Sequence, residues 1–233
     1  MNVTPIKAFS DNYIWVIEEG EETIIVDPGE AQGVLDYFAN NSQKLTAILL
    51  THAHDDHTGG VKEILKHYPD TPVYGPQETE DIATEILKEG DTINLLNQDF
   101  NIILTAGHTA GHISYVTDNA LFCGDALFAA GCGRVFTQDY QAQFDALQKF
   151  KALPDTTLVY PAHEYTVTNL KFARTIQPSN GNLIDALVKT ERLTSTGFPS
   201  LPTTIGFERL INLFMQADTV EAFKKLRLAR DKF

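Results

Sequence analysis

The sequence predicts an α+β fold, in which a mixed domain of strands and helices precedes a smaller helical region. Short apolar runs bounded by turn residues alternate with helical patterns up to about residue 162. From residue 165 onward the patterns are helical and contain no convincing strand. Strands first and helices later are typical of this class. A length of 233 residues suits one large domain or one domain with a small appendage.

Each element follows from the spacing of its apolar residues. Strands are predicted at residues 13–17, 23–26, 45–50, 92–96, 99–105, 112–117, 120–123 and 157–160. Helices are predicted at residues 31–40, 59–68, 77–87 and 144–153. The run LTAILL at 45–50 has the pattern of a strand buried on both faces. The domain boundary is placed so that residues 1–165 form the first domain and residues 166–233 the helical second domain.

The charge of the chain argues against nucleic acid as a partner. The formal net charge is −13, and a field of that sign repels phosphate backbones. Basic residues are nevertheless concentrated at the end of the chain, where the last ten positions include Lys224, Lys225, Arg227, Arg230 and Lys232. This asymmetry predicts a local site for a small anion.

The expected compartment is the cytoplasm. No apolar run reaches the ~20 residues needed to span a bilayer, so no membrane partner is expected. The first residues lack the basic and apolar segments of a signal peptide. The two cysteines, Cys123 and Cys132, do not suggest a disulfide framework and are interpreted as small buried residues. A monomer is the default expectation.

The segment THAHDDHTGG, directly after the strand at 45–50, predicts a metal site. In extended backbone, side chains two residues apart point the same way, so His52 and His54 can converge on one cation. A turn at Asp55 then lets Asp56 and His57 face a neighbouring point. Imidazole and carboxylate together suit zinc, iron and similar ions.

Further candidate ligands lie at the ends of later strands. They are His108 and His112 in TAGHTAGH, Asp125 in LFCGD and His163 in LVYPAHE. Only one of the two histidines in TAGHTAGH need be a ligand. The full set exceeds the four ligands of one tetrahedral site and fits two metals about 3.5–4 Å apart.

These motifs resemble the metallo-β-lactamase superfamily and, within it, the glyoxalase II (hydroxyacylglutathione hydrolase) family. The resemblance rests on HAHDDH, GHTAGH and AHE, and extends to FSDNYIWVI, IIVDPG, VYGPQET, LFCGDALFAAGCGR, HEYTVTNLKFA and RLARDKF. It covers nearly the whole chain, with weaker motifs beyond about residue 173. It implies a four-layer αβ/βα sandwich with residues 1–165 as the catalytic domain, and a helical glutathione-binding domain at residues 166–233.

The resemblance also implies a role for each candidate residue. One metal would be held by His52, His54 and His108, and the other by Asp56, His57 and His163, with Asp125 bridging. The expected cofactor is two divalent ions per chain, Zn²⁺ first and Fe or Mn as alternatives. Asp27 and His112 would support these ligands without binding metal.

Glutathione contacts are expected from residues in GCGR, in HEY and near the C-terminus, namely Arg134, Phe136, Tyr165, Arg227 and Arg230. Arginine forks match the carboxylates of glutathione. The family usually has an aromatic residue followed by Glu-Gly-Thr after GCGR, whereas this chain has Val135, Phe136 and then Thr137-Gln138-Asp139. Because Phe136 has no hydroxyl, a hydrogen bond to glutathione is expected to be missing.

The implied reaction is hydrolysis of S-D-lactoylglutathione to glutathione and D-lactate, a step in methylglyoxal detoxification. A hydroxide held by both metals would attack the thioester, with Asp56 and Asp125 as the catalytic carboxylates. The alternatives are a glutathione-persulfide dioxygenase with one iron, another hydrolase of the same fold, and a non-catalytic zinc protein.

Overall fold

The computed structural model describes residues 1–233 and divides into two compact units. The first unit comprises Met1–Leu104 and Gly111–Asp118, and the second comprises Thr105–Ala110 and Asn119–Phe233. No helix is both long enough and apolar enough to cross a bilayer.

The first unit contains nine strands, three α-helices and a 3₁₀ turn. The strands are β1 (Asn2–Ala8), β2 (Asn12–Glu19), β3 (Glu22–Val26), β4 (Lys44–Leu49), β5 (Val73–Pro76), β6 (Glu85–Leu87), β7 (Thr92–Leu95), β8 (Gln98–Leu104) and β9 (Ile113–Val116). The helices are α1 (Gln32–Asn40), α2 (Asp55–Thr58) and α3 (Val61–His67), and the 3₁₀ turn is Gln77–Thr79.

The second unit contains three strands and six α-helices. The strands are β10 (Ala120–Gly124), β11 (Leu158–Pro161) and β12 (Thr203–Thr204). The helices are α4 (Tyr140–Lys151), α5 (Thr166–Ile176), α6 (Gly181–Ser195), α7 (Ile205–Ile211), α8 (Leu213–Gln216) and α9 (Val220–Arg230).

The six-stranded sheet of β1 to β6 in the first unit places the end of β3 beside the end of β4. Strands β1 to β6 lie in chain order, the first three antiparallel and β3 to β6 parallel. Val26 pairs with Leu49, so the turn after β3 and the histidine-rich segment after β4 leave the same edge. Parallel strands present their carboxyl ends on one side, where ligand sites are commonly built.

One apolar core supports this edge. Ile25, Ile48, Leu50, Val61 and Ile64 are essentially inaccessible to solvent and belong to the same cluster. Leucine and isoleucine on both faces of β4 explain why LTAILL shows no alternation of polar and apolar residues.

The second unit repeats the arrangement with β10 and β11. These strands are parallel, and Gly124 pairs with Pro161 at their carboxyl ends. Asp125 directly follows β10 and His163 lies two residues beyond β11. The aromatic rings of Phe122 and Tyr160 stack at a centroid distance of 5.0 Å, joining the two strands below this edge.

The predicted helix at 77–87 is wrong. Residues Gln77–Thr79 form a 3₁₀ turn and Glu85–Leu87 form β6, which pairs with β5 in parallel. Hydroxyl side chains divert the backbone: Thr79 Oγ1 donates to the Pro76 carbonyl, and Thr84 Oγ1 accepts from the Val73 amide at 2.9 Å. Such local bonds compete with a helix. The sequence interpretation also missed β1 and the two-residue β12.

Glu208 on α7 is a buried carboxyl group that connects three segments of the second unit. Its Oε2 accepts from the Ala130 amide at 2.7 Å and from Asn212 Nδ2 at 3.0 Å, and its Oε1 accepts from Thr203 Oγ1 at 2.8 Å. Ala130 has a φ of +54°, which is uncommon for alanine. Desolvation raises the pKa of Glu208 to about 7.

We expect Glu208→Gln to remove a pH dependence of stability. Because the folded carboxyl has the higher pKa, the folded chain keeps a proton that the unfolded chain releases between 4.5 and about 7. The free energy of unfolding of the natural chain should therefore fall by about 3 kcal/mol as the pH rises through that window. Above the window this contribution of Glu208 should stay constant. Glutamine matches the shape and cannot ionise. Urea unfolding on both sides of the window measures the difference, and parallel pH profiles for the two chains would contradict the expectation.

Candidate metal centre

His52 and His54 follow β4 and direct ring nitrogens at one point. His52 is fully buried and His54 is half-buried. His52 Nε2 lies 3.0 Å from His54 Nδ1. Two nitrogens that bind one metal at 2.0–2.1 Å are about 2.9–3.4 Å apart, so this separation suits a common cation.

The proton of His52 can be assigned from its neighbour Thr51. Thr51 Oγ1 lies 2.7 Å from Asp27 Oδ2 and 3.0 Å from His52 Nδ1. A hydroxyl has one hydrogen, and Thr51 donates it to the carboxylate, so the hydroxyl must accept from His52 Nδ1. The lone pair of the neutral ring is then at Nε2, the nitrogen that faces His54.

Asp27 fixes the proton of His57 on Nδ1, as Thr51 does for His52. His57 Nδ1 lies 3.0 Å from Asp27 Oδ2, and both side chains are buried. Asp27 Oδ1 accepts from the Thr51 amide at 2.8 Å, and the φ of Asp27 is +51°. An aspartate in this sparsely populated conformation marks a position where surrounding contacts fix the backbone.

Asp56 lies next to His57 and faces its other ring nitrogen, Nε2. Its Oδ2 lies 3.6 Å from His57 Nε2 and accepts a hydrogen bond from Asn12 Nδ2 at 3.0 Å. His54 immediately precedes α2, and Asp56 and His57 lie within it. A short helical turn thus follows the extended His52–His54 pair, as the spacing predicts. We call Asp27, His52, His54, Asp56 and His57 the first-unit cluster.

His112 lies against this cluster through ring stacking. Its imidazole is fully buried and lies against that of His52 at a centroid distance of 4.9 Å and an interplanar angle of 27°. The amide of the next residue, Ile113, donates to the Thr51 carbonyl at 2.9 Å. The expectation that His112 supports the ligands stays a prediction.

The second unit supplies His108, Asp125 and His163, which we call the second-unit cluster. All three side chains are buried. Asp125 Oδ2 lies 3.3 Å from His108 Nε2, and Asp125 Oδ1 lies 3.4 Å from His163 Nε2. Each oxygen of this carboxylate therefore faces a different histidine, which is the arrangement that a bridging ligand requires.

Neighbouring backbone fixes the orientation of His108. Its Nδ1 lies 2.8 Å from the Arg134 carbonyl, which can only accept, so Nδ1 carries the proton. A Cβ at Gly133 would lie 2.9 Å from His108 Nδ1 and 2.1 Å from the Asp125 carbonyl oxygen. Glycine is needed in GCGR because the chain passes this close to both residues.

The donor set fits divalent metal ions. Histidines that bind metal usually donate their second ring N–H to a carboxylate, carbonyl or hydroxyl group, as His52, His57 and His108 do. The nitrogen–oxygen distances around Asp125 exceed the 2.7–2.9 Å of charge-assisted hydrogen bonds. Imidazoles and carboxylates in this number suit zinc, iron or manganese.

Arg134 and Phe136 lie beside the second-unit cluster. Both side chains are more than half exposed. The ring of Phe136 contacts that of His108 edge-to-face at 5.2 Å, and the Arg134 guanidinium lies 5.9 Å from the centre of the Phe136 ring. Tyr165 stacks on His163 at a centroid distance of 4.7 Å with nearly parallel rings.

The arginines of α9 differ in exposure. Arg227 is buried, and its Nη1 and Nη2 donate to the Cys132 carbonyl at 2.6 Å and to Asp231 Oδ1 at 3.1 Å. Arg230 is half-buried, and its Nε donates to Asn169 Oδ1 at 3.1 Å. Desolvation and then the charge of Arg227 lower the pKa of Arg230 from its usual value.

Both cysteines are free and buried, as the sequence interpretation proposed. Burial raises the pKa of each thiol, so neither has the character of a reactive thiolate. His67 is exposed on α3, and its Nε2 lies 4.0 Å from Glu63 Oε1.

Comparison with known proteins identifies the family. The model of the metallo-beta-lactamase superfamily matches residues 9–163, and the model described as hydroxyacylglutathione hydrolase C-terminus matches residues 164–233. A hydroxyacylglutathione hydrolase of Haemophilus ducreyi is 50% identical over 234 residues, covering 100% of both chains. The chain belongs to the hydroxyacylglutathione hydrolase family of this superfamily.

Solved structures show the same fold. ETHE1 from Myxococcus xanthus has a TM-score of 0.73 and 22% identity, covering 98% of this chain and 90% of its own. TTHA1623, solved in a di-iron-bound form, has a TM-score of 0.64 and 24% identity, covering 92% of this chain and 100% of its own. The predicted α+β fold of the metallo-β-lactamase type, with a helical C-terminal region, is confirmed.

Sequence reasoning missed two residues of the first unit that shape the site. Asn12 orients Asp56, and Thr51 connects His52 to Asp27. Asn12 lies in FSDNYIWVI, a segment that carries the family resemblance but contains none of the predicted metal ligands. Thr51 begins the histidine motif, where a threonine reads as an ordinary strand residue.

We expect Asp27→Asn to weaken the binding of divalent metal about 10- to 100-fold. An asparagine amide that replaces Oδ2 would face the N–H of His57 with a second donor, and the ring would turn. Competition with a chromophoric chelator measures the affinity. The matched control is Asp36→Asn on the exposed face of α1, where the carboxylate accepts only from Gln32 in the same helix. Equal affinities for the two variants would contradict a supporting role for Asp27.

Proposed function

We propose that this chain hydrolyses the thioester bond of S-(2-hydroxyacyl)glutathione, with S-D-lactoylglutathione as the main substrate. Water supplies a hydroxyl group to the carbonyl carbon, the carbon–sulfur bond breaks, and the thiolate of glutathione leaves and takes up a proton. The products are glutathione and a 2-hydroxy acid, which is D-lactate for this substrate.

The observation that carries the proposal is similarity over the full length of both domains. The superfamily match alone specifies a metal-dependent hydrolase fold. The C-terminal match and the 50% identity of a hydroxyacylglutathione hydrolase add the substrate class, since they include the region of Arg227 and Arg230. We place the boundary between the catalytic and glutathione-binding domains at residues 165 and 166.

The proposed centre takes two divalent cations, with Zn²⁺ as the first choice and Fe or Mn as alternatives. His52, His54 and His108 would hold one cation, Asp56, His57 and His163 the other, and Asp125 would bridge. Two observations support this assignment. His52 and His108 carry the proton on Nδ1, which leaves the lone pair of Nε2 free for a metal. Each oxygen of Asp125 faces a different histidine.

When bound, such cations supply an acidified water and a Lewis acid for the developing oxyanion. Asp56 orients the attacking water, and its own position is fixed by Asn12. Asp125 keeps His108 and His163 in register through its two oxygens. No general acid is required for the leaving group, because a cysteine thiol has a pKa near 8.5 and departs readily as thiolate.

Glutathione is proposed to lie against the surface formed by Arg134, Phe136, Tyr165 and Arg230. Arg134 and Arg230 would bind its carboxylates, and the rings of Phe136 and Tyr165, beside His108 and His163, would flank the thioester. Arg227 contributes by fixing Asp231, which also accepts from Arg134 Nε at 3.3 Å. Because glutathione is the main thiol of the cytosol, we place the reaction in the cytoplasm.

The main test is a thioester assay on purified protein whose metal content is measured in the same preparation. Hydrolysis of S-D-lactoylglutathione with about two metal equivalents per chain is the expected result. Full activity in metal-free protein would overturn the mechanism. Oxygen consumption with glutathione persulfide and a single iron would instead establish the dioxygenase alternative.

His54→Ala and Asp125→Ala should each abolish hydrolysis and remove about one metal equivalent. The reason is that His54 contributes to one proposed cation, whereas loss of Asp125 removes the bridge and leaves His108 and His163 without their shared carboxylate. Elemental analysis and initial rates measure both effects. His67→Ala, on the exposed face of α3, is the control and should leave both values unchanged. A His54→Ala protein that keeps its activity would refute the assignment.

Arg230→Ala should raise KM for glutathione thioesters about tenfold and affect simple thioesters much less. Removing one charge-assisted hydrogen bond costs about 1.5 kcal/mol, which corresponds to this factor. Arg192→Ala, on the exposed surface of α6, is the matched control. Equal losses for both substrates would show that Arg230 acts only on the structure of α9.

A further inference from the structure

Glu78 joins two segments of the first unit that carry histidines. Its Oε1 accepts from the amide of Ala53 at 3.2 Å, between His52 and His54. Its Oε2 accepts from the amide of Gly111 at 2.7 Å, directly before His112. One carboxylate thus binds the backbone of both segments.

The position of Glu78 is itself fixed. It is the central residue of the 3₁₀ turn Gln77–Thr79, and the next side chain, Thr79, is buried and donates to the Pro76 carbonyl at 2.8 Å. Glu78 is half-buried, so its interactions with amide donors are screened less than those of a surface carboxylate.

Gly111 is matched to this carboxylate. A Cβ at residue 111 would lie 2.7 Å from Glu78 Oε2 and 3.1 Å from its Cδ, closer than van der Waals contact allows. Glycine therefore permits the short bond from the Gly111 amide, and any larger residue would displace the carboxylate.

Two further contacts connect the same segments. The Ile113 amide donates to the Thr51 carbonyl, and the rings of His52 and His112 stack. The stacking can hold His52 in place only if the backbone segment that carries His52 stays at a fixed distance from the segment that carries His112. Glu78 sets that distance, because it is bonded to the residue after His52 and to the residue before His112.

We propose that Glu78 is a positioning residue that pre-organises His52 and His54 for metal binding by bonding the backbone of both histidine segments. This rests on the proposed function, in which His52 and His54 hold a cation. Loss of such supporting partners typically costs 10- to 100-fold in metal affinity.

The experiment compares Glu78→Gln and Gly111→Ala with the natural chain. Glutamine has the same shape but offers an NH₂ group to one of the two amides. Gly111→Ala leaves the Glu78 carboxylate in the chain but moves it, because the added methyl group would lie too close to Oε2. Glu80→Gln is the control, because this substitution removes the same charge. Glu80 is exposed, and its carboxylate accepts only a local hydrogen bond, from Gln77.

Three measurements are made on each chain. Zn²⁺ affinity is measured against a chromophoric chelator, and the visible spectrum of the Co²⁺-loaded protein reports ligand geometry. Hydrogen exchange at the Ala53 and Gly111 amides, together with thermal unfolding of the metal-free chain, separates local from global effects.

The expected result is a 10- to 100-fold loss of Zn²⁺ affinity and an altered Co²⁺ spectrum in both variants. Exchange should be faster at the two amides, while Glu80→Gln matches the natural chain. Natural affinity in Glu78→Gln, or a fall in unfolding temperature with unchanged affinity and spectrum, would overturn the proposal. If the natural chain itself bound no Zn²⁺, the proposed function would fail, and the amide exchange would still decide whether Glu78 holds the two segments.

Discussion

A buried imidazole binds a cation through the ring nitrogen that lacks a proton, so the structure must fix the proton on the other one. Thr51 does this for His52, Asp27 for His57, and the Arg134 carbonyl for His108. Asp27 is central because it receives the Thr51 hydroxyl and His57 at the same oxygen. The geometry of each cluster depends on these hydrogen bonds, and they in turn depend on where the strands end.

The strand ends explain why so much of the site could be predicted from the sequence. Asp27 follows β3 and His52 follows β4, and parallel pairing of Val26 with Leu49 places both at one edge. The histidine spacing encodes an extended pair and then a turn, and the structure shows this in His54 and α2. Short periodic motifs of this kind are local, so one sequence is enough to interpret them.

Contacts between segments far apart in the chain left no such signal. Glu78 lies in a stretch whose apolar spacing imitates a helix, and only the hydroxyl bonds of Thr79 and Thr84 and the pairing of β6 with β5 decide otherwise. Its partners, Ala53 and Gly111, are 25 and 33 positions away. A backbone amide can be bonded at any residue, so nothing in the identity of Ala53 indicates that it has such a partner.

Electrostatics reconcile an acidic chain with an anionic substrate. The net charge of −13 would repel glutathione at long range, but screening limits that repulsion to about 10 Å in ordinary salt. Within that distance we propose that the guanidinium groups of Arg134 and Arg230 attract the substrate. Asp231 is shared between Arg227 and Arg134, whereas Arg230 donates to the neutral side chain of Asn169. Because Phe136 has no hydroxyl, its exposed ring offers only an apolar face beside His108. In the proposed function, recognition of the substrate would therefore depend on the arginines, and exclusion of water from the thioester on the aromatic rings.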